Sequence, residues 1–389
     1  MQAKTYDIVN AGPNNRFRAN GKIVSNSGKG FQPQNLPSRG LLPDGLIEHG
    51  IALMKCDAED LVFPNVMHLA SSAIRRVLIA APGKKFCISD LANIEGRKVA
   101  WYAGEEWKLQ AFRDFDTGTG HDLYNLAYAR AFRVPVESVT KDQRSIGKIL
   151  ELFLAYGGGC GAFVTGAAGY GFDLEKLADD IYDTLPRDAV LEATDFLEWW
   201  QKQKRDRYGL SDKAFITVDV LKRLWRRSNP KIVQLWSDVQ RAAEHAVVTG
   251  EAIETGLLKF EKKGAWLRVR IASGRYLCYP FAEYDNDDGI SYYGVDQYTR
   301  KWQRIRTHGS KIVENIMQCS ARCVLYDSMP IAEAAGFPIV LHVHDELVTE
   351  TEQGKHVEEL SAIMAAGHNW TEGLPLAAAG FESLRYKKG

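Results

Sequence analysis

Two aspartates stand where an apolar run gives way to a turn. Asp90 follows FCIS at 86–89 and opens DLANIEGR, and Asp345 lies in VHDELV, where the chain turns through His344, Asp345 and Glu346. Carboxylates at adjacent strand ends could carry a phosphoryl transfer. Two Mg²⁺ ions about 3.5–4 Å apart clamp the attacking and leaving oxygens of such a reaction. Mg²⁺ takes one or two carboxylates and fills its remaining positions with substrate phosphate and water. Each aspartate alone says little, because an aspartate ending a strand is more often a turn or helix cap. A second constellation lies in KDQRSIGKILELFLAY at 141–156, where Arg144, Lys148, Leu152 and Tyr156 recur every four residues. On a helix they form one slowly drifting stripe. Two cations suited to a triphosphate are followed by an aromatic ring beside the glycines at 157–159, while Ile146, Ile149, Leu150 and Phe153 can bury elsewhere. An Arg–Lys pair at this spacing is, by itself, more often a solvated face.

The elements that must position these groups read as mixed α and β. Helices are expected at 65–80, from Ile94 onward, and at 141–156, where three glycines stop the last of these. Further helices are expected within 173–204 and 217–250, and at 310–335. Strands are expected at 86–89, at 267–271 and 275–280 with a Ser-Gly turn between them, and along the alternating IVLHVHDELVTE at 339–350. Residues 11–45, rich in Gly, Asn, Pro and Ser, read as a long ordered loop.

The 389 residues, 45% hydrophobic and 25% charged, leave room for two or three domains and a sizeable core. No apolar run reaches the ~18 residues of a membrane-spanning helix. The N-terminus lacks the apolar centre of a secretory signal, so a cytoplasmic location is expected, in the host cell if the chain is viral. Six cysteines without a CxxC pair argue against a zinc site and a disulfide framework. Cys319 and Cys323, four apart, read as small helix-packing residues. Net charge is zero, yet residues 202–231 hold ten Lys or Arg against three acids, and 173–198 hold nine acids against two bases. A protein with a basic DNA cleft can look like this, and so can one with solvated helices. Asp57-Ala58-Glu59 has the spacing of an exonuclease metal pair but reads as a surface loop or helix cap.

Taken together and in order, these segments resemble the A-family DNA polymerases, phage replicases in particular. DLANIEGR resembles the first palm motif, RSIGKILELFLAYGG the fingers-helix motif and VHDELV the last palm motif. GFQPQNLPSRG at 30–40 is similar to the DNA-contacting loop before the first palm strand. ISYYGVDQYTRKWQRIRTHGSKIVENIMQ at 290–318 is similar to the stretch leading to a template-contacting Gln helix. The resemblance covers nearly the whole chain and is weakest at 171–215.

The resemblance implies a right-hand fold: an α+β palm with an antiparallel sheet from 1–104 and 307–389, helical fingers from 105–306, and no thumb. It implies that Asp90 and Asp345 bind two Mg²⁺ ions, with Mn²⁺ an alternative, and that Glu346 supports them. Arg144 and Lys148 would hold the incoming dNTP, with Lys148 a proton donor to the leaving pyrophosphate. Tyr156 would sit at the fingers hinge, Glu95 would crowd the sugar C2′, and His344 would lie near the primer end or the phosphates. Gln34, Asn35, Gln318 and Arg275 would contact the primer–template duplex. Leu152 stands where the best-known members carry Phe or Tyr, so the 3′ side of the sugar pocket departs from the pattern. The Thr-Gly-Arg element ahead of the QN loop is not intact. A second chain carrying the thumb and a 3′–5′ exonuclease, or a longer parent polymerase, is implied. The rival readings are a single-subunit RNA polymerase, against which Glu95 argues, and an inert DNA-binding subunit, against which the retained catalytic set argues.

Overall fold

The computed structural model describes residues 16–19, 22–25, 36–37, 41–169, 171–296 and 299–387; Gln34 and Asn35 lie outside the described residues. The chain divides into two compact units. One comprises Met1–Ala92, Leu325–Ala366 and Ala377–Gly389, and the other Asn93–Val324 and Gly367–Leu376.

The first unit is built on a four-stranded antiparallel sheet. Its strand order is Ile339–Val343, Glu346–Glu352, Lys84–Leu91, Ala378–Ser383. KKFCISDL is buried without interruption from Lys85 to Ser89, as a strand covered on both faces must be. Phe86 and Ile88 pack with Val343, Val348 and Tyr386 on one face. On the other, Ser89 Oγ meets Ser361 Oγ at 2.8 Å, on the helix Val357–Ala365. The strand runs two residues beyond the expected FCIS, so Asp90 is inside it rather than after it.

The expected single strand at 339–350 is a hairpin instead. Val343 pairs with Glu346, leaving His344-Asp345 as a two-residue turn. His344 takes φ 56° there, in the left-handed region that side chains seldom adopt. The turn lies where the sequence placed it, through His344 and Asp345, but Glu346 opens the second strand instead of belonging to the turn. The expected loop at 11–45 also contains a hairpin, Arg16–Ala19 against Lys22–Ser25, and a helix starts at Asp44. Asn20-Gly21 was the overlooked sequence signal. The helix expected at 65–80 is Val66–Ala73 continued by a 3₁₀ turn, Ile74–Val77.

The second unit is mostly helical, with two antiparallel sheets. The helix Lys141–Leu154 starts at a reciprocal cap in which Thr140 and Gln143 bond each other's backbone N–H. Ile146, Ile149, Leu150 and Leu154 are buried. It packs on Leu123–Phe132, and a Cβ added at Gly147 would overlap the Tyr124 carbonyl oxygen. Only glycine permits that approach. The helix also buries a charge, Glu151, which Lys108 meets at 2.7 Å and the Trp225 indole N–H at 2.9 Å.

The acidic and basic runs pair with each other. Arg227 reaches Asp188 and Glu192, Arg223 reaches Glu192, and Lys213 reaches Asp179. These join the helix Asp212–Ser228 to its acidic neighbours, and Trp225 is 1% exposed. Much of the charge asymmetry is therefore spent inside the unit.

Trp266–Arg270 and Tyr276–Pro280 pair as expected, within a four-stranded sheet that starts with Ile253–Thr255 and Leu258–Lys263. A further sheet, Glu283–Asp285, Gly289–Val295 and Trp302–Thr307, was not anticipated. WQRIRT points Trp302, Arg304 and Arg306 outward and puts one apolar residue, Ile305, on the other face, so its apolar periodicity is faint. The helix Gly309–Ala334 follows.

Candidate active-site residues

In the first unit the backbone brings the acidic groups together. Asp90 is paired directly with Glu346 across adjacent antiparallel strands, and Leu91 N–H donates to the Asp345 carbonyl at 3.2 Å. Directly opposed residues project to the same face of a sheet. Asp90 continues the face that carries Phe86 and Ile88, but it is exposed where they are buried. Asp345 is half-buried in the turn and His344 is exposed.

Glu346 is 6% exposed and accepts a hydrogen bond from the Tyr386 hydroxyl at 2.8 Å. Arg75, 4% exposed, donates to the same hydroxyl at 3.1 Å and to the carbonyls of Leu36 and Pro37 at 2.8 and 3.0 Å. Burial and the Glu346 carboxylate push the Tyr386 phenol well up, so it stays a donor. Arg75 and Tyr386 were missed by sequence reasoning. The signal available was an Arg-Arg pair inside an otherwise apolar helix end, at 74–77.

Hard oxygen donors at adjacent strand ends, with Glu346 already committed to Tyr386, suit an ion that takes few protein ligands and completes its shell with water and phosphate. Among the described residues, a separate group, His356, Glu358 and Glu382, gathers its ligand atoms within 4.8 Å on an exposed surface. Its Glu382 is already held by Lys85 at 2.5 Å.

In the second unit the predicted stripe holds its positions but has partners the sequence did not announce. Arg144 donates from Nε and Nη2 to Asp122 at 3.2 and 3.0 Å and lies over the Tyr124 ring at 5.2 Å. Asp122 also caps the helix Leu123–Phe132. Lys148 is half-buried and Leu152 is 38% exposed.

The helix ends at Leu154, so Tyr156 lies in the turn after it and not on it. That turn is tied down by the Trp236 indole, which donates to the Ala155 carbonyl at 3.2 Å. The Tyr156 hydroxyl donates to Glu95 Oε2 at 3.4 Å, joining two residues that the motifs keep 61 positions apart. Burial first, then the carboxylates of Glu95 and Glu314, push the Tyr156 phenol well above its usual range.

Gln318 is exposed on the helix Gly309–Ala334 and donates to Glu314 at 3.3 Å. Arg275 is exposed in the turn between the strands Trp266–Arg270 and Tyr276–Pro280, where its carbonyl accepts from Ile271 N–H at 3.0 Å. Asp57 sits at φ 51° before a short 3₁₀ turn, Glu59–Leu61, as the surface-loop reading of Asp57-Ala58-Glu59 expected. No helix among the described residues is long and apolar enough to cross a membrane.

The chain is similar in sequence to DNA polymerases of a phage and of bacteria. It is 34% identical over 382 residues to the DNA polymerase of Bacillus phage SP02, a match covering 93% of this chain and 50% of that protein. It thus spans about half the length of that curated relative. Shorter matches join it to DNA polymerase I of Mycobacterium bovis, 32% identical over 100 residues covering 24% of this chain and 10% of that one. The match to DNA polymerase I of Pseudomonas aeruginosa is 36% identical over 86 residues, covering 22% and 9%. Among solved structures, the POL domain of Pol1 from M. smegmatis in complex with DNA primer–template and dNTP aligns with a TM-score of 0.48 at 18% identity, over 81% of this chain and 42% of that one. No family model matches the chain.

Proposed function

We propose that the chain is the polymerase module of a template-directed DNA polymerase, extending a primer 3′ end with deoxynucleotides during phage DNA replication in the host cytoplasm. The observation that carries the reading is the register that sets Asp90 opposite Glu346 beside the His344-Asp345 turn. In this reading residues 1–104 and 307–389 make the palm and 105–306 the fingers. Asp90 and Asp345 would hold two Mg²⁺ ions, or Mn²⁺, which supply charge neutralisation at the reacting phosphate.

The chain's own residues supply position and protons. Glu346, fixed by Tyr386, keeps the hairpin turn in place. Arg144 exchanges Asp122 for the triphosphate, and Lys148 holds the same group and donates a proton to the leaving pyrophosphate. Glu95, held by Tyr156, crowds the sugar C2′ and favours deoxyribonucleotides over ribonucleotides. Leu152 lines the sugar side. Gln34, Asn35, Gln318 and Arg275 contact the primer–template, His344 lies near the primer end or the phosphates, and contacts to phosphate set register without reading sequence. A second chain bearing a thumb and 3′–5′ exonuclease is the finer proposal for its partners.

Primer extension on a labelled primer–template with Mg²⁺ and dNTPs tests the reading. Wild-type extension should fall by on the order of 10³-fold or more in Asp345→Ala, the scale of losing a preorganised electrostatic group, and should be poor with rNTPs. Equal use of rNTPs would favour an RNA polymerase. Absence of extension, with primer–template binding indifferent to Mg²⁺ and dNTP, would favour an inert subunit.

A further inference from the structure

In the helical unit, exposed aromatic rings and cations without ion pairs share one stretch of chain. Phe196, Trp199 and Trp200 lie in the second half of the helix Arg187–Lys202, and the loop at 203–210 returns the chain to the helix Asp212–Ser228. Phe215 is fully buried, and Phe196 and Trp200 pack on it with ring centroids 6.2 and 5.9 Å away. The Trp200 indole N–H donates to the Asp206 carbonyl at 2.9 Å, which folds the loop back on the helix. Those three rings serve packing. Trp199 and Tyr208, by contrast, are 45% and 41% exposed. Phe196 stacks on Trp199 at 5.7 Å, Trp200 lies 6.3 Å from Tyr208, and the Arg205 guanidinium lies 5.3 and 4.9 Å from the Trp199 and Trp200 ring centres.

The cations beside these rings are unspent. Lys213, Arg223 and Arg227 are neutralised by acids of the neighbouring helices, and Arg207 by Asp212. Lys202, Lys204 and Arg205 are exposed and join no ion pair among the described residues. Lys204 and Tyr208 take φ 53° and 61°, yet neither is the glycine or asparagine that such positions favour. The stretch is also fixed to the helix with the cationic stripe. A Cβ at Gly161 would fall 2.9 Å from the Tyr208 ring, and one at Gly166 would strike the Phe153 ring. The helix Cys160–Gly169 therefore runs from Tyr208 to the helix Lys141–Leu154, which carries Arg144 and Lys148.

We propose that Trp199 and Tyr208, with Arg205, Lys202 and Lys204, form a surface that holds single-stranded DNA, the unpaired template beyond the primer end. Aromatic rings stack on unpaired bases of any sequence, and cations beside them track the phosphates. A guanidinium plane stacks on bases in the same way. A duplex hides its base faces, so the rings favour a single strand and the cations alone would not. The surface lies within 171–215, where the resemblance to known polymerases is weakest, so its residues are read from the geometry and not carried over. That the strand is a template rests on the polymerase reading, in which the same unit grips the nucleotide that the template selects.

The test is binding of labelled primer–template to the full chain by fluorescence anisotropy, with template overhangs of one nucleotide and of about ten. The longer overhang should bind more tightly by at least about 5-fold, the low end for one stacked base. In Trp199→Leu with Tyr208→Leu that gain should vanish, while affinity for the one-nucleotide overhang stays at the wild-type value and so reports an intact fold. An overhang of abasic sugars, which keeps the phosphates and lacks the bases, should lose most of the gain on the wild-type chain. Lys202→Gln with Lys204→Gln should flatten the slope of log affinity against log salt by about 1.4 on the longer overhang. Equal affinity for the two overhangs, or a gain that both double variants keep, overturns the proposal. A gain that survives abasic replacement overturns the stacking role of Trp199 and Tyr208. Binding needs no catalysis, so an overhang gain that the variants lose, in a chain that never extends a primer, counts against the polymerase reading alone.

Discussion

The two units hold their candidate groups in different ways. In the sheet unit the backbone does the positioning: register opposes Asp90 to Glu346, and a ladder bond ties Leu91 to the Asp345 carbonyl. In the helical unit side chains do it. Arg144 is held by Asp122, 22 residues away, and Tyr156 by Glu95, 61 residues away. A register is shared by many hydrogen bonds and resists single changes. A side-chain tether is one or two bonds and can be exchanged for a ligand. On the proposed reading, that contrast suits a rigid metal platform in the one unit and a triphosphate grip that must let go in the other.

The largest expected effect comes where the sheet unit departs from this rule and relies on a side chain. Tyr386→Phe removes a hydroxyl that serves Arg75 and Glu346, both nearly fully buried. Leaving buried charged groups short of a partner costs about 1.5–3 kcal/mol. Chemical denaturation should therefore give a lower midpoint with an unchanged slope, and primer extension should fall through kcat more than through KM for dNTP. A variant as stable and active as wild type would mean that the ladder alone holds Glu346.

The same contrast explains what could be read from the sequence. The helix starts at Ile94 and at 141, the strand at 86–89 and the paired strands near 267–280 were legible, because apolar periodicity and glycine stops are local signals. The acidic and cationic motifs were legible because their spacing is short and their order resembles a known family. Asp122, Arg75 and Tyr386 were not, since each acts across a long sequence separation that nothing local encodes. The sheet 283–307 was missed because its last strand turns charged and aromatic side chains to solvent.

A smaller effect is expected from cutting the tether in the helical unit. Asp122→Asn keeps an oxygen for the helix cap, where Asn serves as well as Asp, but removes the charge on Arg144. The Arg144–Asp122 pair is 43% and 27% exposed, and partly exposed pairs are worth roughly 0–1 kcal/mol. Stability should barely change, while KM for dNTP shifts and kcat holds. Steady-state kinetics decide the direction. A lower KM marks Asp122 as a competitor of the triphosphate, and a higher one marks it as the residue that aims Arg144. A fall in kcat alone would remove Arg144 from the triphosphate grip.

The smallest effects separate the units by acid. Partial desolvation and the nearby Lys311 ammonium hold the His308 imidazole below its usual 6.5, against the pull of Glu314. The folded state therefore prefers the neutral ring, and its contribution, complete above pH 6.5, is lost as pH falls from there through the lowered folded value. In the sheet unit, the Lys85 ammonium holds the Glu382 carboxyl below its usual 4.5. That contribution is complete above pH 4.5 and fades only as pH falls through the depressed value. Hydrogen exchange followed from pH 7 to pH 4 should thus loosen the first turn of the helix Gly309–Ala334 before the strand Ala378–Ser383. His308→Asn should flatten the first phase and leave the second in place. Simultaneous loosening of both would show that the units open as one, and the distinction between a register-held platform and a tethered grip would then be kinetic rather than energetic.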